Sequence, residues 1–252
     1  MRKQWLVLAA AISVSLARET NAADLSVKVA DKPPPNQIGE SIRKMLQPKA
    51  VQVLDGETPL FEFWFSSEVP LKSKPASIDK ALDALREITL LGAAVVGKGQ
   101  RDYKDNEIAA GVYTLRFGLQ PQDGDHLGTA DYSYFAVLIP ARSDTVLDGI
   151  TTFKAMAKAS GKETASGHPM VLSLRPVSAD GAGLPKLNEP AAGHKSVRVS
   201  LEAKAGEQKT AIVFELVCQG HGHIQYPFGQ RYRPDSGTAG EFWWKARRQM
   251  VK

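Results

Sequence analysis

The sequence is poor in cysteine: Cys218 is the only one among 252 residues. An intramolecular disulfide is therefore excluded, and the burial of apolar side chains has to stabilise the fold. Beyond the N-terminus, no apolar run approaches the roughly 20 residues that are needed to span a bilayer. The sequence also lacks Gly-x-Ser-x-Gly, His-Glu-x-x-His and Walker-type loops, so it carries none of the catalytic signatures that these motifs represent.

The first 23 residues have the order of a secretory signal peptide. A cationic start at Arg2 and Lys3 is followed by the apolar run 5–17, and the small pair Ala22-Ala23 comes after a short polar stretch. A membrane anchor would need a longer apolar run than this one. The sequence therefore predicts a signal peptide over 1–23 and an exported chain, periplasmic or secreted, that has no transmembrane anchor once the signal is removed.

The formal net charge of +5 is concentrated at the two ends of the chain. Residues 1–23 and the tail 241–252 hold most of the positive excess, which does not indicate nucleic-acid binding. The tail combines Phe242, Trp243 and Trp244 with lysine and arginine. Such a composition suits a membrane interface, or a terminal segment that docks its aromatic rings on the domain. We favour the docked segment, and we predict no nucleic-acid partner.

Alternating apolar and polar residues predict that β-strands dominate the chain. Short helices are predicted at 36–46, 73–87 and 146–159, the last with Asp144 as its N-cap, and 179–193 is predicted as a loop. This pattern predicts a mainly β fold, an antiparallel β-sandwich of immunoglobulin-, fibronectin- or transthyretin-like architecture with two or three short helices. The predicted strands are 25–29, 51–54, 60–65, 88–96, 112–119, 132–139, 170–174, 197–201 and 211–217.

The predicted domain organisation is simple. After the signal peptide, residues 24–252 form a single β-rich domain that ends in the basic aromatic tail, with 24–142 and 143–240 as alternative lobes. No internal repeat is visible in the sequence.

The block Ala-Gly-Val-Tyr-Thr-Leu-Arg-Phe-Gly-Leu-Gln-Pro-Gln-Asp-Gly-Asp-His, residues 110–126, together with Trp64, carries a resemblance to a known group. It resembles uncharacterised exported proteins of planctomycetes and other environmental bacteria. The resemblance runs from about residue 40 to about residue 220. It implies export, and it implies no activity because the function of that group is unassigned.

The loop between the strands 112–119 and 132–139 is the first candidate ligand site. Its Asp123, Asp125, His126 and Asp131 offer oxygen and nitrogen donors on a two-strand support. The aspartate spacing matches part of a calcium loop, but Leu127 and Tyr134 stand where such a loop has ligands. We therefore favour a polar connection that contacts a ligand, and calcium is a less favoured alternative.

Cys218, His221 and His223 are the second candidate site. A thiolate with imidazoles a few residues away is the donor set of a copper or zinc centre. The competing interpretation is a buried thiol that behaves as a small apolar side chain, followed by an exposed glycine-rich loop. Both interpretations remain open at this stage, and the second is favoured, so no cofactor is predicted.

Three functions follow from these observations. The favoured one is a non-enzymatic extracytoplasmic binding or structural protein for a glycan, an envelope component or a protein, with Tyr103, Tyr132, Tyr134 and the tryptophans as candidate stacking surfaces. The second is a periplasmic copper or zinc protein that uses Cys218. The third is a hydrolase whose site only the fold assembles, for which the candidate carboxylates are Glu62, Glu87 and Glu107.

Overall fold

The structure of the protein, a computed structural model, describes residues 25–102, 106–121, 130, 132–164, 166–178, 181–191 and 193–220. The predicted signal peptide and the predicted C-terminal tail both lie outside the described residues. No helix in the described ranges is long and apolar enough to cross a membrane.

Strands make up about half of the described chain and far outweigh the helices, which confirms the mainly β prediction. Two short helices, α1 (Glu40–Arg43) and α2 (Phe153–Gly161), accompany them. The strands are β1 (Leu25–Ala30), β2 (Ala50–Asp55), β3 (Thr58–Phe65), β4 (Val69–Pro70), β5 (Leu90–Val96), β6 (Gln100–Arg101), β7 (Glu107–Ile108), β8 (Gly111–Leu119), β9 (Tyr134–Pro140), β10 (Met170–Pro176), β11 (Lys186–Ala191), β12 (His194–Ala205) and β13 (Gln208–Gln219).

Eleven of these strands form one curled sheet. Ten follow the order β1-β2-β3-β5-β8-β9-β10-β13-β12-β11 with antiparallel pairing, and β4 pairs in parallel with β12. Cα atoms of β1 and β11, at the two ends of this order, approach within 8 Å of each other. The predicted sandwich is not confirmed, because the strands around the core belong to one continuous sheet rather than to two stacked sheets.

The largest core fills the inner face of the curl. Side chains alternate along each strand, so every second residue of β2, β3, β8, β9, β10, β12 and β13 points into one apolar cluster. Phe61, Phe63 and Phe65 of β3 stack there, with ring centroids 5.5 and 5.9 Å apart. Two smaller clusters cover the outer face, one beneath α1 with Trp64 and one beneath α2 with Met156.

The predicted strands 51–54 and 60–65 are present as β2 and β3, and they pair as a hairpin. Its register pairs Val51 with Phe63 and Asp55 with Thr58 around the turn at Gly56. Trp64 is completely buried on the outer side while its phenylalanine neighbours are buried on the inner side. β3 is therefore covered on both faces, as the apolar residues on both sides of its sequence predicted.

Two predicted helices are shorter than the sequence indicated. The segment 36–46 has only the single turn of α1, which begins after Gly39 rather than after Asn36. The segment 73–87 has two 3-10 turns, Ile78–Lys80 and Leu82–Ala84. Here the backbone of Lys72 donates to Ala84 and that of Leu71 to Lys204, so contacts across the end of the sheet override the local helical spacing.

The third predicted helix begins later than expected. Thr152, not Asp144, caps α2, because its Oγ1 accepts a hydrogen bond from Ala155 N at 3.2 Å. Val146, predicted to point inward, is 54% exposed. The predicted loop 179–193 contains the strand β11. The sequence did not indicate this strand, because Pro190 and a bulge weaken its strand pattern. Proline is tolerated there because β11 is an edge strand.

Candidate functional site

Three strands carry one charged residue each within an apolar run, and all three point to the outer face. Glu62 of β3, Arg116 of β8 and Glu215 of β13 are 6%, 3% and 3% exposed. A buried charge is costly unless it is paired and hydrogen-bonded. The partners of each residue therefore indicate whether it has a structural role or belongs to a binding site.

Arg116 forms a closed structural ion pair. Its Nε and Nη2 donate to the two carboxylate oxygens of Asp144 at 2.7 and 2.9 Å. Its remaining donors reach the carbonyl oxygens of Ile88 and Leu147 at 3.1 and 2.8 Å, and Thr114 also donates to Asp144. Both charges are almost completely buried, so this pair fastens the segment after β9 to the sheet and offers no surface to a ligand.

Glu62 also has a structural role. Lys32 donates to both of its carboxylate oxygens at 2.8 and 2.7 Å, and Gln52 donates to Oε1 at 2.5 Å. The backbone carbonyl of Lys32 accepts a hydrogen bond from the Trp64 indole at 2.7 Å. These contacts hold the chain after β1 against the outer face, and the carboxylate is fully engaged by them.

Glu215 is the centre of a different arrangement, because it pairs with two arginines that come from the strands on either side of it. Arg175 of β10 donates to Oε2 at 2.7 Å, and Arg198 of β12 donates to Oε1 through Nη2 at 2.8 Å and Nε at 3.1 Å. Ser196 donates to Oε2 at 3.0 Å. The arginine side chains are 23% and 25% exposed, against 4% for the glutamate, so the carboxylate lies beneath two accessible guanidinium groups.

Tyr132 supports one of these arginines from the side. The guanidinium of Arg175 lies 5.3 Å from the centre of the Tyr132 ring, and its Nη2 donates to the tyrosine hydroxyl at 3.3 Å. A cation over an aromatic face is attracted by the ring quadrupole. Arg175 is thus fixed by a carboxylate on one side and an aromatic ring on the other.

A pocket of about 470 Å³ opens above these residues, and we call it the arginine pocket. Its floor is Arg175, Arg198 and Glu215 on the outer face of the sheet. The connection from β10 to β11 crosses over β13 and β12, and a Cβ on Gly181 would lie 3.4 Å from Val213 of β13. The walls are the start of this crossing, 176–178, and the bulged part of β11, 188–190.

The electrostatics of the arginine pocket favour an anion. Glu189 on the wall pairs with Lys195, and this hydrogen bond and the lysine charge lower the pKa of the glutamate. The two ion-paired glutamates offset two of the three cations, so the group retains one excess positive charge. Nε of Arg175 and Nη1 of Arg198 have no acceptor among the described residues.

The first predicted site cannot be placed. Asp123, Asp125, His126 and Asp131 all lie outside the described residues. The strands on either side of that loop, β8 and β9, pair as predicted, with Leu115 opposite Leu138.

The second predicted site is described only at Cys218. Its side chain is 3% exposed and belongs to the inner apolar core, where burial raises the pKa of the thiol to about 12. His221 and His223 lie outside the described residues, and the described ranges contain no group of three potential metal ligands. β8 and β13 run in opposite directions. The C-terminal ends of these two strands, from which the chain continues into the two predicted sites, therefore lie at opposite ends of the sheet along the strand direction.

The candidate carboxylates and tyrosines named from the sequence do not converge on one site among the described residues. The Glu87 carboxylate accepts from the backbone of Leu119 at 3.3 Å, whereas Glu107 lies on the small β6–β7 hairpin. Tyr134 stacks on Phe117 within the fold, and Tyr103 lies outside the described residues. Of the two described tyrosines among them, Tyr132 is the one that lies beside the arginine pocket.

The arginine pocket was missed at the level of the sequence, although it left one signal. Glu215 stands alone in the apolar run from Ile212 to Cys218, and an isolated charge in a buried strand requires a partner. The identity of that partner depends on strand order, which places β10 and β12 on either side of β13.

Comparison of the chain with protein-family models, curated proteins and solved structures finds no match to any of them.

Proposed function

We propose that this chain is an exported, non-enzymatic binding protein that holds a glycan, an envelope component or a protein ligand in the arginine pocket. The observation that carries the proposal is the pair of partly exposed arginines, Arg175 and Arg198, oriented by the buried carboxylate of Glu215. Because these groups are already held in place, a ligand binds without ordering them, and such preorganisation favours affinity.

The chemistry of the pocket supports binding rather than catalysis. Arginine remains protonated at accessible pH, so neither guanidinium serves as a general acid or base. Each carboxylate oxygen of Glu215 accepts two hydrogen bonds, which leaves the group to position the arginines. A pocket of about 470 Å³ is within the range of small-molecule and sugar sites.

Export is supported by the sequence. The charged, apolar and small-residue order of the first 23 residues is typical of a signal peptide, and the lone cysteine leaves no disulfide to form outside the cytoplasm. A binding protein of the envelope or the extracellular space is consistent with both features.

The test compares the protein with its Arg198→Gln variant on three ligand sets: a glycan array, a cell-envelope fraction and a panel of secreted proteins. The expected result is retention of at least one ligand by the protein and its loss in the variant. Arg142→Gln, at an exposed ion pair remote from the pocket residues, is the matched control and should bind as the unchanged protein does. Absence of binding in all three sets, or equal binding by Arg198→Gln, would refute the proposed function.

A further inference from the structure

We infer that the arginine pocket takes a singly charged anionic group, a carboxylate or a sulfate ester, carried on a sugar ring. This inference rests on the proposed function and narrows its ligand to acidic glycans. It follows from three features of the pocket: its charge, the chemistry of its donors and the composition of its walls.

The charge of the pocket matches one negative charge. Arg175 and Arg198 share the single carboxylate of Glu215, and Glu189 is neutralised by Lys195. A ligand with one negative charge balances the remaining cation. A phosphate monoester, close to two negative charges at neutral pH, would place uncompensated charge beside the carboxylate of Glu189.

The arginine N–H donors suit an acidic group that presents two or three acceptor oxygens, such as the two oxygens of a carboxylate or the three terminal oxygens of a sulfate ester. Guanidinium groups present their N–H donors as a planar fork that matches carboxylate and sulfate oxygens. Both arginines already bind a carboxylate in this structure, that of Glu215, at 2.7 to 3.1 Å. Nη1 of Arg198 and Nε of Arg175, which have no acceptor in the described part of the chain, are the donors left for a second acidic group.

The walls suit the rest of a sugar unit. Asn188 and Ser178 provide polar side chains within reach of ring hydroxyls, and Pro176, Val177 and Pro190 provide apolar surface for the face of the ring. Small-ligand sites combine apolar surface with a few placed polar groups in this way. A volume of about 470 Å³ accommodates a sugar unit or two.

Two variants change the charge of the pocket without touching the buried cluster. Asn188→Asp adds a negative charge at nearly constant shape, and Glu189→Gln removes one. The control is Glu202→Gln, which makes the same change on an exposed residue of β12 outside the pocket. Thermal unfolding of each variant verifies that the fold is retained.

The probes are oligosaccharides of galacturonate, mannuronate and glucuronate, each paired with its neutral methyl ester, plus sulfated and phosphorylated oligosaccharides. Calorimetry is expected to give binding of at least one uronate or sulfated probe. We expect Asn188→Asp to weaken that binding about tenfold and Glu189→Gln to strengthen it several-fold, because each alters one charge near the anion. Glu202→Gln should leave it unchanged, and the methyl esters should bind weakly and without response to either variant.

The uronate and sulfated arms identify which anionic group is bound. If neutral esters bind as well as the acids, if phosphorylated probes bind most tightly, or if the Asn188→Asp and Glu189→Gln variants have no effect, the acidic-sugar inference is wrong while the proposed binding function stands. The acidic-sugar inference is also wrong if none of the glycan probes binds. In that case the envelope fraction and protein panel, measured with Arg198→Gln, decide the proposed function separately.

Discussion

At the scale of single residues, the outer face of the sheet is organised by charges that the apolar strands cannot leave unpaired. Arg116 and Asp144 are both shielded from solvent, whereas the cationic partners of Glu62 and Glu215 keep part of their surface in water. Replacing one member of a buried pair leaves an uncompensated charge in a medium of low polarity. Glu215 differs from Glu62 because it holds two arginines from neighbouring strands, and all three residues line a pocket.

The Arg116–Asp144 pair gives a direct stability prediction. Asp144→Asn keeps the side-chain shape but leaves the guanidinium of Arg116 without its counter-charge, at a site where both side chains are at most 3% exposed. We expect the free energy of unfolding to fall by about 3–5 kcal/mol, the usual effect of removing one partner from a buried pair. Urea denaturation followed by circular dichroism measures the change.

The control for this prediction is an exposed ion pair. Arg142 contacts Glu163, but its side chain is 70% exposed, so Arg142→Gln should change the free energy of unfolding by less than about 1 kcal/mol. Similar losses for Asp144→Asn and Arg142→Gln would contradict the structural role assigned to the buried pair.

Residue-scale reasoning from the sequence reached only part of the candidate site. Tyr132 was named as a stacking residue, and it does lie against Arg175. Arg175 and Arg198 were not named, because each is an ordinary solvent-facing charge in an alternating strand. Their convergence on Glu215 depends on neighbours 40 and 17 residues away in sequence, which local patterns do not report.

At the scale of elements, the strands with regular alternation were predicted and the irregular ones were not. β3 and β8 have apolar residues at every second position, which is a local signal. β11 has no such regularity, since Pro190 and a register shift interrupt it, and it pairs only at the edge of the sheet. The wall of the arginine pocket therefore could not be derived from strand patterns.

The helices were overpredicted for a related reason. Residues 78–85 have helical spacing, yet Leu82, Ala84 and Leu85 are buried against the end of the large core. Helical spacing marks which side chains share a face, but in the two 3-10 turns Leu82 and Leu85 are buried while Ile78 is 43% exposed. Tertiary contacts decided the conformation in this segment.

The central strand β5 gives a prediction about an element. A Cβ on Gly92 would lie 2.4 Å from the carbonyl oxygen of Trp64 and 3.0 Å from Cα of Phe65, both backbone atoms of the neighbouring strand. Gly92→Ala must therefore push β3 and β5 apart, and we expect it to lower the free energy of unfolding by about 1–3 kcal/mol or more. Thermal or urea unfolding measures this loss.

Gly111 of β8 provides the matched control. A Cβ there would meet only the side chain of Tyr113, at 3.5 Å, which is an ordinary contact. Gly111→Ala should therefore stay within about 1 kcal/mol of the unchanged protein, since alanine is also less flexible in the unfolded chain. If the two variants unfold alike, close strand approach is not the reason for glycine at position 92.

At the scale of the whole molecule, one sheet curls around one large core, and the segment after β3 closes one end of the curl. β4 joins β12 in parallel there, and Leu71 bridges to Leu85. Tyr134, at the start of β9, donates a hydrogen bond to Asp83 in the second 3-10 turn. The tyrosine thus connects the closing segment to the far side of the same sheet.

This closure makes the stability of the molecule sensitive to alkali. Burial, reinforced by the hydrogen bond with Asp83 and its negative charge, raises the pKa of Tyr134 from 10.0 to about 12. Burial also raises the pKa of Cys218 from 9.0 to about 12. Both groups hold their protons more tightly in the folded chain, so their stabilising effect is complete below the unfolded-state pKa values and is lost as the pH rises to about 12.

We therefore expect the free energy of unfolding to decrease from about pH 9 to pH 12, as followed by urea denaturation at each pH. Tyr134→Phe keeps the ring on Phe117 but has no proton to lose, so its decrease above pH 10 should be shallower. Cys218→Ala should remove the part that begins near pH 9, because the unfolded thiol ionises first. The two substitutions act on groups at different places in the core, and their effects on the slope should add. A slope that neither substitution changes would mean that other groups control the alkaline limit and that the contact between Tyr134 and Asp83 does not hold the end of the sheet closed.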